Sequence, residues 1–169
     1  MPIDKTQMNN IRSAKPDDIE IIKSLAVETE LFTEDDAVFI GETLNQHFAA
    51  ELGDDHFWVT YDDNGVIGVA YYAPEPMTDG VWNLYMLAVH PDSHGQGIGS
   101  RLVKYVEQAI TSHNARLLLI ETSGLDSFER TRSFYDKCGY DLEARIRDYY
   151  AEGDDKIIFR KSLTEPSVD

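Results

Sequence analysis

The segment from Leu84 to Ile110, LYMLAVHPDSHGQGIGSRLVKYVEQAI, constrains the fold more than any other part of the chain. Leu84, Met86, Leu87, Ala88 and Val89 form an apolar run that is too short for a helix and suits a buried strand. Pro91, in His90-Pro91-Asp92, ends it because proline has no N–H to give to a ladder. Gly95, Gly97 and Gly99 follow at alternate positions and run into a helical pattern of Ile98, Leu102, Val103, Val106, Ala109 and Ile110. Glycines let a backbone come close to a ligand, and a helix start offers unpaired amides and the positive end of its dipole. A diphosphate suits such a loop. The competing reading is a plain strand-to-helix turn. The loop lacks the lysine and Ser/Thr of a P-loop, and Ser100 stands where G-x-G-x-x-G needs a third glycine.

At 169 residues the chain is expected to form a single domain, 1–169, with 164–169 as a flexible tail. No apolar run reaches membrane-spanning length, and the start, MPIDKTQMNN, has no secretory character. Cys138 is the one cysteine, which excludes an intramolecular disulfide and fits a reducing cytoplasm. A small buried residue at a helix end is the favoured role for it. The expectation is therefore a cytoplasmic protein, without a membrane or a bound metal. A net charge of −16 argues against nucleic acid as a partner. Acidic residues cluster at Glu28, Glu30, Glu34, Asp35 and Asp36, at Glu51, Asp54 and Asp55, and at Asp154 and Asp155. They read as solvated faces, or as a rim that attracts a cationic amine.

Ile11–Ala14 reads as a first strand. Pro16-Asp17-Asp18 opens a helix to about Glu30, and a second helix runs from about Asp35 to Leu52 with Val38, Phe39, Leu44 and Phe48 apolar. Strands at Phe57–Tyr61 and Val66–Ala73 flank Asp62-Asp63-Asn64-Gly65, a strong hairpin signal. After the glycine loop and its helix come a strand at Ala115–Ile120 and a helix at Glu129–Cys138, with Gly139 as its cap. A final hairpin pairs Arg145–Tyr150 with Lys156–Lys161 across Ala151–Asp155. Its exposed strands leave a homodimer open.

This order, β-α-α-β-β-β-α-β-α-β-β, and the strand, His-Pro, glycine loop and helix resemble the GNAT superfamily of N-acetyltransferases. The resemblance implies an α/β fold with a mixed, mostly antiparallel central sheet flanked by helices, and acetyl-CoA as cosubstrate. The family's loop signature is Arg or Gln, two residues, Gly, one residue, then Gly or Ala. It falls here on His94, Gly97 and Gly99, with His94 departing from the usual residue. By the same resemblance the backbone of Leu87, Ala88 and Val89 meets the pantetheine arm. His94, Gly95, Gln96, Gly97, Ile98, Gly99 and Ser100 would cradle the pyrophosphate. Arg101, Lys104 and Arg130 are candidates for the 3′-phosphate, against a plain solvated role.

Acyl transfer from a thioester to an amine needs a neutral amine, a donor for the oxyanion and a proton for the leaving thiolate. The segment Ser133–Tyr140, SFYDKCGY, resembles the family's F-Y-x-K-x-G-[FY] helix, which implies Tyr135 as the general acid. Core packing is the alternative for that ring. Phe128 stands where many relatives carry an Asn. Asn83 occupies the position at which some members have a basic carboxylate, so Glu121 is the candidate base. Its segment, LLLIETSG, is similar to the L-x-L-E-V of ribosomal-protein N-terminal acetyltransferases. An ion pair with Arg116 or Arg132 is the structural alternative for Glu121. Arg147-Asp148-Tyr149-Tyr150 with Asp154-Asp155 resembles the last hairpin of those same enzymes, although Lys156 follows where they usually have Ala. The reading is an acetyl-CoA-dependent N-acetyltransferase acting on a primary amine by direct attack. A small cationic amine is the first choice of acceptor and a protein N-terminus or lysine the second. A non-catalytic CoA-binding sensor is the rival of another class.

Overall fold

Asn64 and Gly65 make the tight turn their types call for. Both take positive φ, 54° and 137°, in the computed structural model, which describes residues 9–164. The Asp62 carboxylate accepts from the Gly65 amide (3.0 Å) and closes the turn between β2 (Phe57–Asp62) and β3 (Val66–Pro74). The other strands are β1 (Ile11–Ser13), β4 (Val81–Val89), β5 (Leu117–Ser123), β6 (Asp141–Ala151) and β7 (Asp154–Ser162). The helices are α1 (Ile19–Glu28), α2 (Glu34–Phe48), α3 (Ile98–Thr111) and α4 (Glu129–Lys137). Strand order is β1-β2-β3-β4-β5-β7-β6. β4 and β5 pair in parallel, whereas β1–β2, β2–β3, β5–β7 and β6–β7 are antiparallel. The expected mixed, mostly antiparallel sheet with helices is what the chain forms. Most of the expected tail, 165–169, lies outside the described residues.

The chain divides into two compact units, one of residues up to Ala73 with Met86–Val106, the other of Pro74–Tyr85 with residues from Glu107 on. In the first, Ile22, Leu25 and Ala26 of α1 and Ile40 and Leu44 of α2 pack with Trp58, Val69, Met86 and Ala88 from three strands. A fully buried Leu or Ile of this kind contributes about 1.5–3 kcal/mol. The apolar residues read along α2 do not all face the core. Ala37, Ile40, Gly41 and Leu44 are buried, while Val38 and Phe39 point outward. A Thr33–Asp36 capping box starts the helix at Glu34.

Strand boundaries moved where polar residues continued a ladder that an apolar count had ended. β4 begins at Val81 and not Leu84, and β5 runs on through Glu121, Thr122 and Ser123. The final hairpin is longer than expected and turns at Glu152 and Gly153. In the second unit Gly139, at φ 91°, caps α4 as expected, and the Tyr140 amide donates to the Tyr135 carbonyl.

Arg12 ties β1 to the turn that precedes α1. Its guanidinium donates to both Asp18 oxygens (2.7 and 3.1 Å) and to Asp62 (3.0 Å). Asp18 is buried and also accepts from the Lys15 amide. Hydrogen bonding by Arg12 holds the Asp18 carboxyl below the usual carboxylate range, despite the opposing effect of burial. A depressed folded-state pKa gives stability that is present above pH ~4 and lost as pH falls further. Asp18→Asn is expected to cost about 1–3 kcal/mol in urea unfolding at pH 7, with the gap to wild type narrowing below pH 4. A gap independent of pH would count against the ion pair as its source.

Candidate functional site

In the first unit β4 ends at Val89, Pro91–Ser93 form one 3-10 turn, and an exposed loop leads to α3. Gly95 and Gly97 take φ 81° and 78°, a region in which side chains are strained, and a Cβ on Gly95 would meet open space. The Arg101 amide donates to the Gly97 carbonyl, so Gly97 is the residue before the first helical turn. Among the described residues the amides from Gly95 through Ser100 make no turn or cap hydrogen bond to the backbone. That is the donor array an anion requires. The Arg101 guanidinium lies beside Gly97 and is held by the Tyr61 hydroxyl at 3.1 Å. Of the three cations read from the sequence, Arg101 is thus fixed at the loop, while Lys104 is exposed on α3 and Arg130 on α4.

His94 bonds the Val89 carbonyl through Nε2 at 2.8 Å. The residue that departs from the family pattern therefore braces the loop from below with its ring. One lone pair of the Val89 carbonyl, a group expected to meet pantetheine, is already engaged by that ring. Leu87 and Val89 are half-buried and Ala88 is buried in the core. Ile98 is buried as the first anchor of α3.

In the second unit Glu121 lies inside β5 and not at its end. Its carboxylate contacts the Lys156 ammonium at 3.0 Å, so neither Arg116 nor Arg132 is its partner. Arg116 donates to the Asp79 carbonyl (2.6 Å), and Arg132 clamps the Ser123 and Leu125 carbonyls (2.8 Å each). Lys156 is buried, and its ammonium also sits 4.1 Å from the centre of the Tyr149 ring. Burial would lower its pKa, but hydrogen bonds and charge from Glu121 and Tyr149 outweigh that and raise it.

Tyr135 is buried in an aromatic box with Phe134, Tyr140 and Phe159 at ring separations of 5.2–6.2 Å. Burial pushes its hydroxyl above the usual phenol range. The rest of the motif is structural. Tyr140 donates to Glu107 (2.8 Å), which also receives Lys161, and Lys161 reaches the Cys138 carbonyl (3.1 Å). Phe128 precedes α4 without a side-chain cap. Register separates the two candidate catalytic groups. Glu121 pairs with Ile158, whereas Ile120 pairs with Phe159, whose ring carries Tyr135. Because neighbours along a strand point to opposite faces, Glu121 and Tyr135 lie on opposite faces of the β5–β7 pair.

Sequence reasoning missed a carboxylate. Asn83, 1% exposed, donates Nδ2 to Glu75 at 2.8 Å, and the Tyr85 hydroxyl donates to the same Glu75 oxygen at 3.1 Å. No motif contains Glu75. Only the hairpin that brings the Glu75 amide to the Val81 carbonyl (2.8 Å) reveals it. The acidic pair Asp154 and Asp155 is also more engaged than its sequence suggests. Asp154 bonds the Ser123 hydroxyl, and Asp155 pairs with Arg145 (3.5 Å) and accepts from the Asp148 amide (2.9 Å).

A family model of the acetyltransferase (GNAT) domain matches residues 53–142. A GNAT-family protein from Desulfovibrio desulfuricans is 31% identical and superposes with a TM-score of 0.85 over 91% of this chain and 98% of its own. This chain belongs to the GNAT family. The GNAT fold is seen again in two structures of lower identity. An aminoglycoside 6′-N-acetyltransferase solved with coenzyme A gives a TM-score of 0.73 at 18% identity, over 94% of this chain and 99% of its own. The ribosomal-protein-S18-alanine N-acetyltransferase of Escherichia coli gives 0.71 at 18%, over 93% and 95%. A search of curated proteins found no match. No described helix of this GNAT chain is long and apolar enough to cross a membrane, and no described group of His, Cys, Asp and Glu could hold a metal ion.

Lys156 is the feature of this GNAT site that most directly sets the charge around Glu121. Lys156→Met keeps the apolar stem and removes the ammonium, leaving the Glu121 charge without its partner. The expected cost is about 1–3 kcal/mol, read as a lower urea midpoint with unchanged slope. An unmoved midpoint would mean that the pair contributes nothing to folding.

Proposed function

We propose that the chain transfers acetyl from acetyl-CoA to a primary amine by direct attack, with a small cationic amine as acceptor. The observation that carries this reading is the array of open loop amides from Gly95 to Ser100 beside Arg101, in a chain of the GNAT family. Attack of the amine on the thioester carbonyl gives a tetrahedral intermediate, whose formation and collapse need a proton acceptor for the amine and a proton donor for the departing thiolate. Glu121 takes the proton of the attacking amine. Its Oε2 is held by Lys156, and its half-exposed position leaves the other oxygen for a water or for the amine. Tyr135, kept protonated by burial, gives its proton to the thiolate as the carbon–sulfur bond breaks.

The glycine loop supports acetyl-CoA as the donor. Its amides and the Arg101 guanidinium offer neutral and charged donors to a pyrophosphate, with Gly95 and Gly97 removing side chains from the approach. The net charge of −16 favours encounter with a cationic acceptor. A peptide acceptor is less well supported, because Asp154 and Asp155 are committed to contacts within the hairpin.

Calorimetric titration with acetyl-CoA is expected to give one-to-one binding in the micromolar range, and absence of heat would remove the loop assignment. Tyr135→Phe retains the ring packing and loses only the hydroxyl. It is expected to lower kcat at least about tenfold while the acetyl-CoA Kd stays within about twofold. Unchanged turnover would sink the role given to Tyr135.

A further inference from the structure

We infer that Glu75 binds a second cationic nitrogen of the acceptor, so that the substrate is a di- or polyamine and not a simple monoamine. The inference rests on the acetyltransferase reading above and names the substrate class of that same site. Asn83 stands on β4 with an amide that can neither take a proton nor carry charge. Glu75, from the turn that follows β3, supplies a carboxylate at that place. One Glu75 oxygen, Oε1, accepts from both Asn83 Nδ2 and the Tyr85 hydroxyl. Both partners are on β4 two residues apart and so on one face of it. The carboxylate is thereby aimed along that face.

Its backbone is fixed as firmly as its side chain. The Glu75 carbonyl accepts from the Thr78 hydroxyl (2.8 Å) and its amide donates to Val81. The turn closes at Gly80, where a Cβ would lie 2.9 Å from the Asn114 carbonyl. Such a constrained carboxylate is preorganised for a ligand and loses little freedom on binding.

Charge separates this group from Glu121. Glu121 already holds Lys156. Glu75 has no ion-pair partner among the described residues, and its Oε2 accepts no hydrogen bond from them. Beside it the Asn83 Oδ1 is buried with no partner among the described residues, a second acceptor that protein donors leave open. Both features ask for a ligand rich in N–H groups. A nitrogen held there as an ammonium cannot itself attack, so the attacking amine is a different nitrogen of the same molecule.

Strand geometry sets the span. Asn83 pairs with Leu119 in the parallel β4–β5 register, and Glu121 lies two residues further along β5 on the same face. Strand spacing and rise then put the Asn83 and Glu121 backbones about 8 Å apart. The group held by Asn83 and the Glu121 side chain thus belong to one face of adjacent strands, and the acceptor bridges them with two nitrogens, one at Glu75 and one delivering its proton to Glu121.

The test compares wild type with Glu75→Gln, which keeps an oxygen to accept from Asn83 and Tyr85 and removes only the charge. Acetyl-CoA binding is measured first by calorimetry in both. Acetylation of 1,5-diaminopentane, spermidine, kanamycin and n-pentylamine is then followed by thiol release over a range of acceptor concentrations. The wild type is expected to prefer at least one polycation over n-pentylamine by about tenfold or more in kcat/KM. Glu75→Gln is expected to abolish that preference through KM. A wild type that binds acetyl-CoA but favours no polycation, or acetylates none of these amines, overturns the inference, as does a Gln variant that retains the preference. A wild type that fails to bind acetyl-CoA overturns the acetyltransferase reading itself, and calorimetry reads that result separately.

Discussion

The parallel pairing of β4 with β5 is the constraint from which the rest follows. Every other pairing described in this sheet is antiparallel, and β2–β3 and β6–β7 are closed by short turns. Parallel neighbours cannot be, because the chain must return to the end at which it started. The return here is the 3-10 turn, the glycine loop and α3. A loop between the C-terminal end of a parallel strand and the first turn of a helix presents its amides outward, and glycine at positive φ keeps them uncovered. The donor array at Gly95–Ser100 is thus a product of topology first and of residue choice second. His94 illustrates the order: it departs from the family's usual residue, yet the loop it braces is still formed.

Electrostatics in a chain this acidic is a matter of which carboxylates are neutralised. Asp18 has Arg12, Glu107 has Lys161 with a tyrosine hydroxyl, Asp155 has Arg145 and Glu121 has Lys156. These pairs remove negative charge where the chain is packed and leave it where solvent or a ligand can meet it. The Glu121–Lys156 pair also gives the Glu121 carboxylate a fixed direction, since a side chain with several rotatable bonds is pinned at one oxygen. Tyr135 is handled by the opposite means. It has been surrounded by rings, so its hydroxyl stays neutral without any charged partner.

Much of the frame was legible because it depends on local signals. The Asn64-Gly65 turn, the glycine loop and the Gly139 cap each need a backbone conformation that few residues accept. Ile98, Leu102, Val103, Val106 and Ile110 are buried on the face that their spacing defines. Failures came where tertiary context outweighed local pattern. Val38 and Phe39 are apolar like Leu44, yet packing of α2 through Ala37, Ile40 and Leu44 leaves them in solvent. The alternative weighed for Glu121, an ion pair with Arg116 or Arg132, had the wrong partner. Lys156 reaches it across the β5–β7 register, which no linear reading provides. Glu75 was invisible for the same reason, since its neighbours Asn83 and Tyr85 are brought to it by a hairpin whose turn carries no catalytic motif.

β6 is an edge strand of the sheet, and it exposes Leu142, Ile146, Tyr149 and Tyr150. A flat edge with that composition would be a template for adding strands from other molecules. Its register with β7 is broken twice, between Leu142 and Ala144 and between Ile146 and Ala151, and Asp148 sits at φ 55° inside the second break. The Asp148 amide and carboxylate turn inward to Asp155 and Gly153. An incoming strand would therefore find the hydrogen-bonding row interrupted after a few residues. The same irregularity that shapes the end of the hairpin lets the chain carry exposed tyrosines on an open edge without inviting cross-strand aggregation.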